Sequence, residues 1–490
     1  MSPKLRIHSI ITRFPAFWSG LHVRGAAKLA HHIYQNFSPD NLISCRLLER
    51  LIGGLTCRSC ILIPLLLCVV PSALLGQTSE PFSLEQIPGG QAPQGCVEIQ
   101  GVSAGAFNPA LWENDQLHWV PDVRMPLLAP RMGGAYRNIY APSAIEEDDG
   151  WRLFYSGWDG IESGTDRIFS AKTPDFIDFY DRHTVIDNGE VTHVSNVNVQ
   201  KMPNGSLHML ATAWPDANKV NKPICFFSPD GKTWNGSPEP YGAKRKDFVK
   251  MAGYEGYELG DLNGANVLLH DQGKFFLYFS NWRDKGKLYW AVGDTPTSFR
   301  FGGTSLTTIH APNDVKKFNQ AGKDWYLMAL HRKGDAGGLG VKDADKLWYS
   351  LSNNGKTFGP EHRLPGAREE MDRYIFAVGF LTRKDRVLGV LYGAGPSVQC
   401  ARNQIFGYWL QKRVQISAKL DYNVGNGAEY EAQGALGPDR QWIKLPLGEA
   451  FDGKLSVFSE DGVTLLWSTP VKLAPGGVYR LKAGNTQAPH

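Results

Sequence analysis

Cysteine is scarce in most of this 490-residue chain. Of the seven cysteines, Cys96, Cys225 and Cys400 are the ones that follow residue 68. Three thiols leave at least one without a partner, so the sequence predicts neither a disulfide framework nor a zinc site for the folded part of the chain.

An excess of charge of one sign is also missing from most of the chain. The 52 Lys and Arg residues exceed the 48 Asp and Glu residues by four, but residues 1–59 alone hold eight basic and two acidic side chains. The remainder therefore has 44 basic and 46 acidic side chains. A nearly neutral remainder implies no basic face for nucleic acid, so the sequence predicts no nucleic-acid partner.

No apolar run is long enough for a comfortable membrane span. The run at residues 60–76 is interrupted by Pro64 and Pro71 and follows a basic leader. This pattern predicts the h-region of a secretory signal, hence a secreted or periplasmic protein with no membrane span in the mature chain. An uncleaved anchor is the alternative.

What the chain does contain is one hairpin-shaped phrase in five copies, each an apolar-rich strand, a polar turn and a strand dense in Leu, Phe, Tyr and Trp. The turns are marked by Gly150, Gly205, Gly273, Gly322 and Asp385. A spacing of 49 to 68 residues holds about four short strands, which predicts an all-β fold with a five-bladed β-propeller. The copies occupy residues 142–158, 197–214, 266–282, 313–331 and 378–395.

The repeats also predict how the chain is divided. Segments 96–99 and 117–120 are strand-like candidates for closing the ring, and Asp452-Gly453 and Asp461-Gly462 are predicted hairpin turns near the C-terminus. The predicted divisions are a leader with the signal h-region (1–76), a linker with N-terminal strands (77–129), the propeller (130–412), a small sandwich-like C-terminal β module (413–484) and a tail (485–490).

In a propeller, the residues just before the innermost strand of each blade reach one mouth of the central channel. Five polar segments precede these strands, at 137–141, 193–198, 258–266, 310–314 and 370–374, and we expect a binding site where they converge. Trp158, Trp214 and Trp282, which end second strands, are expected in the blade cores. The predicted substrate-binding residues are Arg137, Asn138, His193, Asn196, Asn198, Asn263, Asn266, His310, Asn313, Arg373 and Tyr374.

Two phrases are specific enough to suggest a family. Residues 140–145 (YAPSAI) with 151–157 (WRLFYSG), and residues 266–280 (NVLLHDQGKFFLYFS), resemble five-bladed propeller glycoside hydrolases of families 43, 32, 117 and 130. The resemblance covers about 130–412 and implies two carboxyl groups that flank the scissile glycosidic bond. In the family 43 pattern the base is an Asp immediately before the Pro-Ser of blade one, whereas this chain has Ala141.

Other carboxyl groups near the mouth are the catalytic candidates. Glu258 and Asp261 open blade three, where the family's general acid tends to lie, Asp314 opens blade four and Asp372 opens blade five. The sequence thus predicts a secreted glycoside hydrolase-like protein that cleaves or binds a poly- or oligosaccharide by carboxylate acid–base chemistry, as in polysaccharide degradation. A non-catalytic carbohydrate-binding or scaffold propeller is the alternative.

No cofactor is required by this chemistry. The channels of related propellers sometimes hold a structural cation, and His310 with Asn313 could contribute to one here. No ligand spacing in the sequence identifies a metal site.

Overall fold

The computed structural model describes residues 82–131, 137–160, 165–264, 266–284, 286–332, 342–418 and 428–483. The predicted leader with its signal (1–76) and the tail (485–490) lie outside these ranges. Within them the chain is almost entirely β-structure, with one short helix, α1 (Pro109–Glu113), and three single 3-10 turns. None of the described helices has the length and apolar character needed to cross a bilayer. The predicted all-β class is confirmed.

Five sheets contain most of the strands. Three short strands come first, β1 (Phe82–Gln86), β2 (Cys96–Gln100) and β3 (Trp119–Pro121). Sheet 1 consists of β4 (Asn138–Glu147), β5 (Gly150–Trp158), β6 (Arg167–Thr173), β7 (Tyr180–Asp187) and the later β13 (Tyr241–Gly242). Sheet 2 consists of β8 (His193–Lys201), β9 (Leu207–Trp214) and β10 (Lys222–Ser228), and is followed by the small hairpin β11 (Thr233–Trp234) and β12 (Ser237–Pro238).

The other three sheets follow in chain order. Sheet 3 consists of β14 (Lys250–Ala252), β15 (Val267–Asp271), β16 (Lys274–Phe279), β17 (Leu288–Thr295) and β18 (Ser298–Leu306). Sheet 4 consists of β19 (His310–Gln320), β20 (Lys323–Arg332), β21 (Leu347–Ser352) and β22 (Glu361–Leu364). Sheet 5 consists of β23 (Tyr374–Arg383), β24 (Arg386–Gly395), β25 (Gln404–Leu410) and the early strand β3.

The five sheets close into a ring, as the blades of a propeller do. Their first full strands, β4, β8, β15, β19 and β23, contact one another in that order, and β23 contacts β4 again. An apolar cluster fills each of the five spaces between neighbouring sheets. Burying a large side chain such as Phe226, which is fully buried between sheets 1 and 2, stabilises the fold by roughly 1.5–3 kcal/mol.

Local turn chemistry explains why the repeated phrases fold as hairpins. Gln272-Gly273 and Ala321-Gly322 connect strands through two residues that both have positive φ, the geometry of a two-residue hairpin turn. Closure of the ring depends on another glycine, because a Cβ on Gly379 of β23 would lie 2.4 Å from the backbone oxygen of Pro142 on β4. The strand expected at 117–120 is β3, which pairs with β25 and completes sheet 5.

A two-sheet sandwich accompanies the ring. One sheet has the order β1, β32 (Val478–Ala483), β2, β29 (Arg440–Lys444) and β28 (Gly434–Ala435). The other has the order β27 (Ala428–Glu431), β26 (Val414–Ala418), β30 (Phe451–Phe458) and β31 (Leu465–Leu473), and a shared apolar core lies between the two sheets.

Three expectations about these strands need correction. Segment 82–86, in the part of 77–129 where no strand was predicted, is strand β1, because Phe82 and Leu84 alternate toward the sandwich core and the strand pairs with β32. Segment 96–99 belongs to the sandwich as β2 and does not close the ring. The dipeptide Asp452-Gly453 lies inside β30, where it pairs with β31, while the turn at 461–462 connects β30 with β31.

Candidate functional site

The first strand of four of the five sheets has an irregular register close to its start. The shifts fall between Tyr140 and Ser143, between Ser195 and Asn198, and at the corresponding points of β19 and β23. Ala141 and Asn196 have φ of 51° and 56° at the first two of these irregularities, a conformation uncommon for residues other than glycine. Because bulges redirect side chains and are frequent near binding sites, this end of the ring is where ligand contacts are expected.

Five residues between sheets 2 and 3 form what we call the His193 cluster, namely His193, Trp214, Asn221, Asp261 and Trp282. Asn221 Nδ2 donates to Asp261 Oδ1 (2.8 Å), so Asn221 Oδ1 faces His193 Nε2 (3.0 Å) and His193 Nε2 must carry a proton. Burial lowers the pKa of His193, while the bond to Asn221 and the charge of Asp261 act in the opposite direction. The imidazole and the carboxylate are therefore connected through one amide.

Two tryptophans border this chain of hydrogen bonds. The indole of Trp214 stacks beside the His193 ring, with centroids 6.0 Å apart and an interplanar angle of 25°. Trp282 donates its backbone N–H to the Asp261 carbonyl (2.8 Å) and its indole N–H to the Asn263 carbonyl (2.7 Å). Both side chains are half-buried whereas Trp158 is buried, so the expectation that all three lie in blade cores is wrong for Trp214 and Trp282.

A buried lysine fixes the segment that presents Asp261. Lys222 Nζ donates to the carbonyls of Gly260 (2.8 Å) and Glu258 (3.2 Å) and forms an ion pair with Asp216 (3.3 Å). Burial lowers the pKa of Lys222, against the influence of Asp216. These contacts attach residues 258–260 to sheet 2 and so hold the following Asp261 in place.

A second polar group, the Tyr140 cluster, lies where β4 and β8 begin and consists of Asn138, Tyr140, Asp166, Ser195 and Cys400. Asn138 Nδ2 donates to Cys400 Sγ (3.6 Å) although the Cys400 residue as a whole is exposed, and desolvation of the sulfur raises the pKa of this thiol. Burial also raises the pKa of Asp166 to about 7, although hydrogen bonding from Tyr140 and the charge of Arg167 oppose the shift. A carboxyl group with such a pKa can hold its proton near neutral pH.

The predicted catalytic candidate Asp314 occupies a different environment. It is 3% exposed, and its two oxygens accept from Asn198 Nδ2 (3.1 Å) and from the Phe380 N–H (2.9 Å). Lys316 Nζ lies 3.2 Å from the same carboxylate. Asp314 thus connects sheets 2, 4 and 5, and its placement favours a structural role over the predicted catalytic one.

Asp372 is likewise committed to the fold. It is fully buried and accepts from the N–H groups of Arg368 (3.0 Å) and Glu369 (2.8 Å) and from the Tyr392 hydroxyl (2.7 Å). This is the pattern of a turn cap rather than of a group that meets a ligand. Glu258, by contrast, is exposed, and its carboxylate accepts only weakly, from Asn218 Nδ2 at 3.3 Å.

The predicted substrate-binding residues separate in the same way. Asn138, Asn198, Asn266, His310 and Asn313 are buried and hydrogen-bonded inside the fold, which removes them from a simple ligand-contacting role. The remaining ones are partly or fully exposed. Of these, His193 is linked through Asn221 to the predicted catalytic residue Asp261. The exposed and half-buried ones are Arg137, His193, Asn196, Asn263, Arg373 and Tyr374.

The cation suggested for the channel finds no support in the described part of the chain. His310 Nδ1 bonds to Glu361 (2.8 Å), whereas Asn313 Oδ1 bonds to His331 (2.7 Å), so the two do not converge. Within the described ranges no three His, Cys, Asp or Glu side chains are grouped as a metal site would require.

Sequence reasoning missed Asn221 and Asp166 as site residues. Both stand directly before a strand that follows a repeated hairpin, at Lys222–Ser228 and Arg167–Thr173. A polar residue at that position of the repeat is the signal that could have identified them.

No protein-family model and no curated protein matches this chain. Among solved structures it is similar to a glycosyl hydrolase from Bacteroides ovatus, with 13% identity over 59% of this chain and 92% of that one (TM-score 0.41). It is also similar to the catalytic domain of a GH62 α-L-arabinofuranosidase from Coprinopsis cinerea, with 14% identity over 60% and 97% (TM-score 0.42). A GH32 β-fructofuranosidase from Bombyx mori shows 9% identity over 75% and 93% (TM-score 0.40). The chemistry of this chain has to be deduced from its own side chains.

Proposed function

We propose that this protein binds an oligo- or polysaccharide at the His193 cluster and hydrolyses a glycosidic bond there by carboxylate acid–base chemistry. The observation that carries the proposal is the hydrogen-bonded series His193–Asn221–Asp261 between two half-buried tryptophans. Aromatic faces pack on the apolar side of sugar rings, while carboxylate, amide and imidazole groups pair with sugar hydroxyls. The apolar run at 60–76 supports secretion to where such substrates occur.

Asp261 is the predicted carboxylate best suited to this chemistry. One of its oxygens is held by Asn221, and its backbone is fixed through Trp282 and the Lys222 contacts to residues 258–260. A fixed orientation is what a base or nucleophile needs, because the attacking water or carboxylate oxygen must be aligned with the anomeric carbon. Glycoside hydrolysis also requires a second carboxyl group as proton donor.

A second candidate function is a carbohydrate-binding propeller without hydrolysis. It is favoured by Ala141, which is 4% exposed and stands where the family 43 pattern has its base. Such a protein would use the His193 cluster for binding alone.

An assay of wild type and Asp261→Asn against a panel of plant and algal polysaccharides tests the proposal. The variant keeps the shape of the side chain but removes its negative charge, so we expect sugar release to fall by about 100-fold or more. Asp294→Asn, an exposed carboxylate of sheet 3, serves as the matched control and should keep wild-type activity.

Affinity electrophoresis in the same polysaccharides separates the two functions. Binding by wild type with no sugar release would establish the second candidate. Sugar release that is equal in wild type and Asp261→Asn would show that the site lies elsewhere.

A further inference from the structure

The carboxyl groups predicted to be catalytic include no evident proton donor among the described residues for the proposed hydrolysis. Asp314 and Asp372 are buried and hydrogen-bonded on their oxygens, and position 141 holds alanine. Glu258 is exposed and stands three residues before Asp261 on the same segment. Because donor and base act on different sides of the scissile bond, the donor is better sought on another sheet.

Asp166 of sheet 1 is placed to meet this need. It stands directly before β6, and its carbonyl accepts from the Val194 N–H (3.1 Å), so its backbone is joined to the first residues of β8. His193, which connects to Asp261 through Asn221, immediately precedes Val194. Asp166 and Asp261 are therefore both linked to the start of β8, Asp166 through its backbone and Asp261, from the segment between β14 and β15, through Asn221.

The hydrogen-bonding capacity of the Asp166 carboxyl group is not fully used by the described residues. Its Oδ1 is shielded from solvent and has no hydrogen-bond partner among the described residues. A buried polar atom without a partner is costly and commonly marks a functional position. Its charged neighbour Arg167 is already paired with Asp187 (2.7 Å), so among the described residues no dedicated ion pair holds Asp166 in the carboxylate form.

The remaining titratable neighbours among the described residues carry no charge that would hold Asp166 as a carboxylate, although the hydrogen bond from Tyr140 lowers its pKa. They are Tyr140 on β4, whose pKa burial raises well above its usual value, and the thiol of Cys400, whose pKa is raised as well. Both are neutral at physiological pH. The pKa of Asp166 itself, raised to about 7 chiefly by burial, agrees with a group that carries a proton when substrate arrives.

We propose that Asp166 protonates the leaving oxygen of the glycosidic bond, a role that rests on the proposed hydrolysis at the His193 cluster. The bond between the anomeric carbon and the leaving oxygen breaks as the Asp166 proton passes to that oxygen. A water molecule adds its hydroxyl to the anomeric carbon, and Asp261 accepts its other proton. Exchange with solvent then returns Asp166 to the acid and Asp261 to the carboxylate.

The substitution at position 141 fits this assignment. Ala141 adjoins Tyr140, whose hydroxyl interacts with Asp166 and Ser195. In this proposal the carboxyl group absent from position 141 of β4 is supplied by Asp166, the residue before β6 of the same sheet.

The test compares two substrates whose leaving groups differ. With the polysaccharide identified by the panel, Asp166→Asn should lower kcat by about 100-fold or more, because an alkoxide is a poor leaving group without a proton. With the 2,4-dinitrophenyl glycoside of the same sugar, whose leaving group needs no proton, the loss should be less than about fivefold. Asp178→Asn, an exposed carboxylate in the connection between β6 and β7, is the matched control and should resemble wild type.

A second variant keeps the test informative if Asp166→Asn folds poorly. Tyr140→Phe keeps the ring but removes the hydroxyl that lowers the pKa of Asp166. The alkaline limb of the kcat/KM profile, expected near pH 7 in wild type, should therefore move to higher pH in this variant.

The outcomes separate the two proposals. Wild-type hydrolysis with equal losses on both substrates in Asp166→Asn, or with an unmoved alkaline limb in Tyr140→Phe, overturns the role of Asp166 and leaves the proposed function standing. Wild type that binds polysaccharide without cleaving it overturns the hydrolysis and the proton donor together.

Discussion

Two acidic residues of sheets 4 and 5, Asp314 and Asp372, differ from two that border sheets 1 to 3, Asp166 and Asp261. Asp314 and Asp372 are at most 3% exposed, and each accepts hydrogen bonds on both carboxylate oxygens. Asp166 has one oxygen without a hydrogen-bond partner among the described residues, and Asp261 is partly exposed with one oxygen held by Asn221. All four stand near the start of a strand at the same end of the ring. Hydrogen-bond saturation, rather than position in the repeat, separates carboxylates that hold the ring together from carboxylates available to a ligand.

The largest expected effect concerns Asp314, one of the two carboxylates whose oxygens are both hydrogen-bonded inside the fold. Asp314→Ala should lower the free energy of unfolding by about 3–5 kcal/mol, because it leaves the Phe380 N–H and the ammonium of Lys316 without their partner inside the ring. Urea unfolding monitored by tryptophan fluorescence measures this loss. Asp294→Ala on the surface of sheet 3 should change the same quantity by less than about 0.5 kcal/mol. A loss below about 1 kcal/mol for Asp314→Ala would remove the distinction between the two sets.

A smaller effect sharpens the comparison through pH. His331 of sheet 4 is buried, which lowers its pKa to about 3, and its Nδ1 donates to Asn313. Because the unfolded chain binds this proton near pH 6.5, the stability contributed by neutral His331 is complete above that pH and is lost as pH falls toward 3. The slope is at most about 1.4 kcal/mol per pH unit.

The measurement compares urea unfolding of wild type and His331→Gln at several pH values between 7 and 4. The stability advantage of wild type should shrink steadily as the pH falls. A constant difference between the two proteins would mean that His331 does not titrate with the stated shift.

The smallest expected effect concerns the His193 cluster, which contains the partly exposed Asp261. Trp214→Ala should weaken polysaccharide binding about tenfold, or about 1.4 kcal/mol, because the half-buried indole beside His193 offers a face to a sugar ring. Affinity electrophoresis measures the change. Trp467→Ala, half-buried in the sandwich, is the matched control and should bind as wild type does. Equal mobility shifts for the two variants would argue against stacking at the His193 cluster.

The hairpin repeats made the all-β class and the strands of the ring predictable, because the signal is local. Turn residues such as Gly273 and Gly322 act within a few positions of the strands they connect. The same locality explains the correct expectation of a strand near residues 117–120, although its partner β25 lies almost 300 residues away.

The site was less predictable because the decisive contacts join distant parts of the chain. Asp314 looked as available as Asp261 until its partners Asn198 and Phe380, on two other sheets, were known. Conversely, Asn221 and Asp166 are candidate site residues because of their contacts with the start of β8, which the sequence does not show. A single sequence shows which side chains can accept hydrogen bonds, but it does not show which of them already do.

The pairing of β1 with β32 has a mechanical consequence. Phe82 lies opposite Ala483, so the two outer ends of this antiparallel pair are side by side. A force that separates those ends would act along the interstrand hydrogen bonds and open them one after another, as a zipper opens, since these bonds run perpendicular to the strands. The force would reach the β3–β25 pair only after β1 had separated from β32, so the sandwich would open before the ring is stretched.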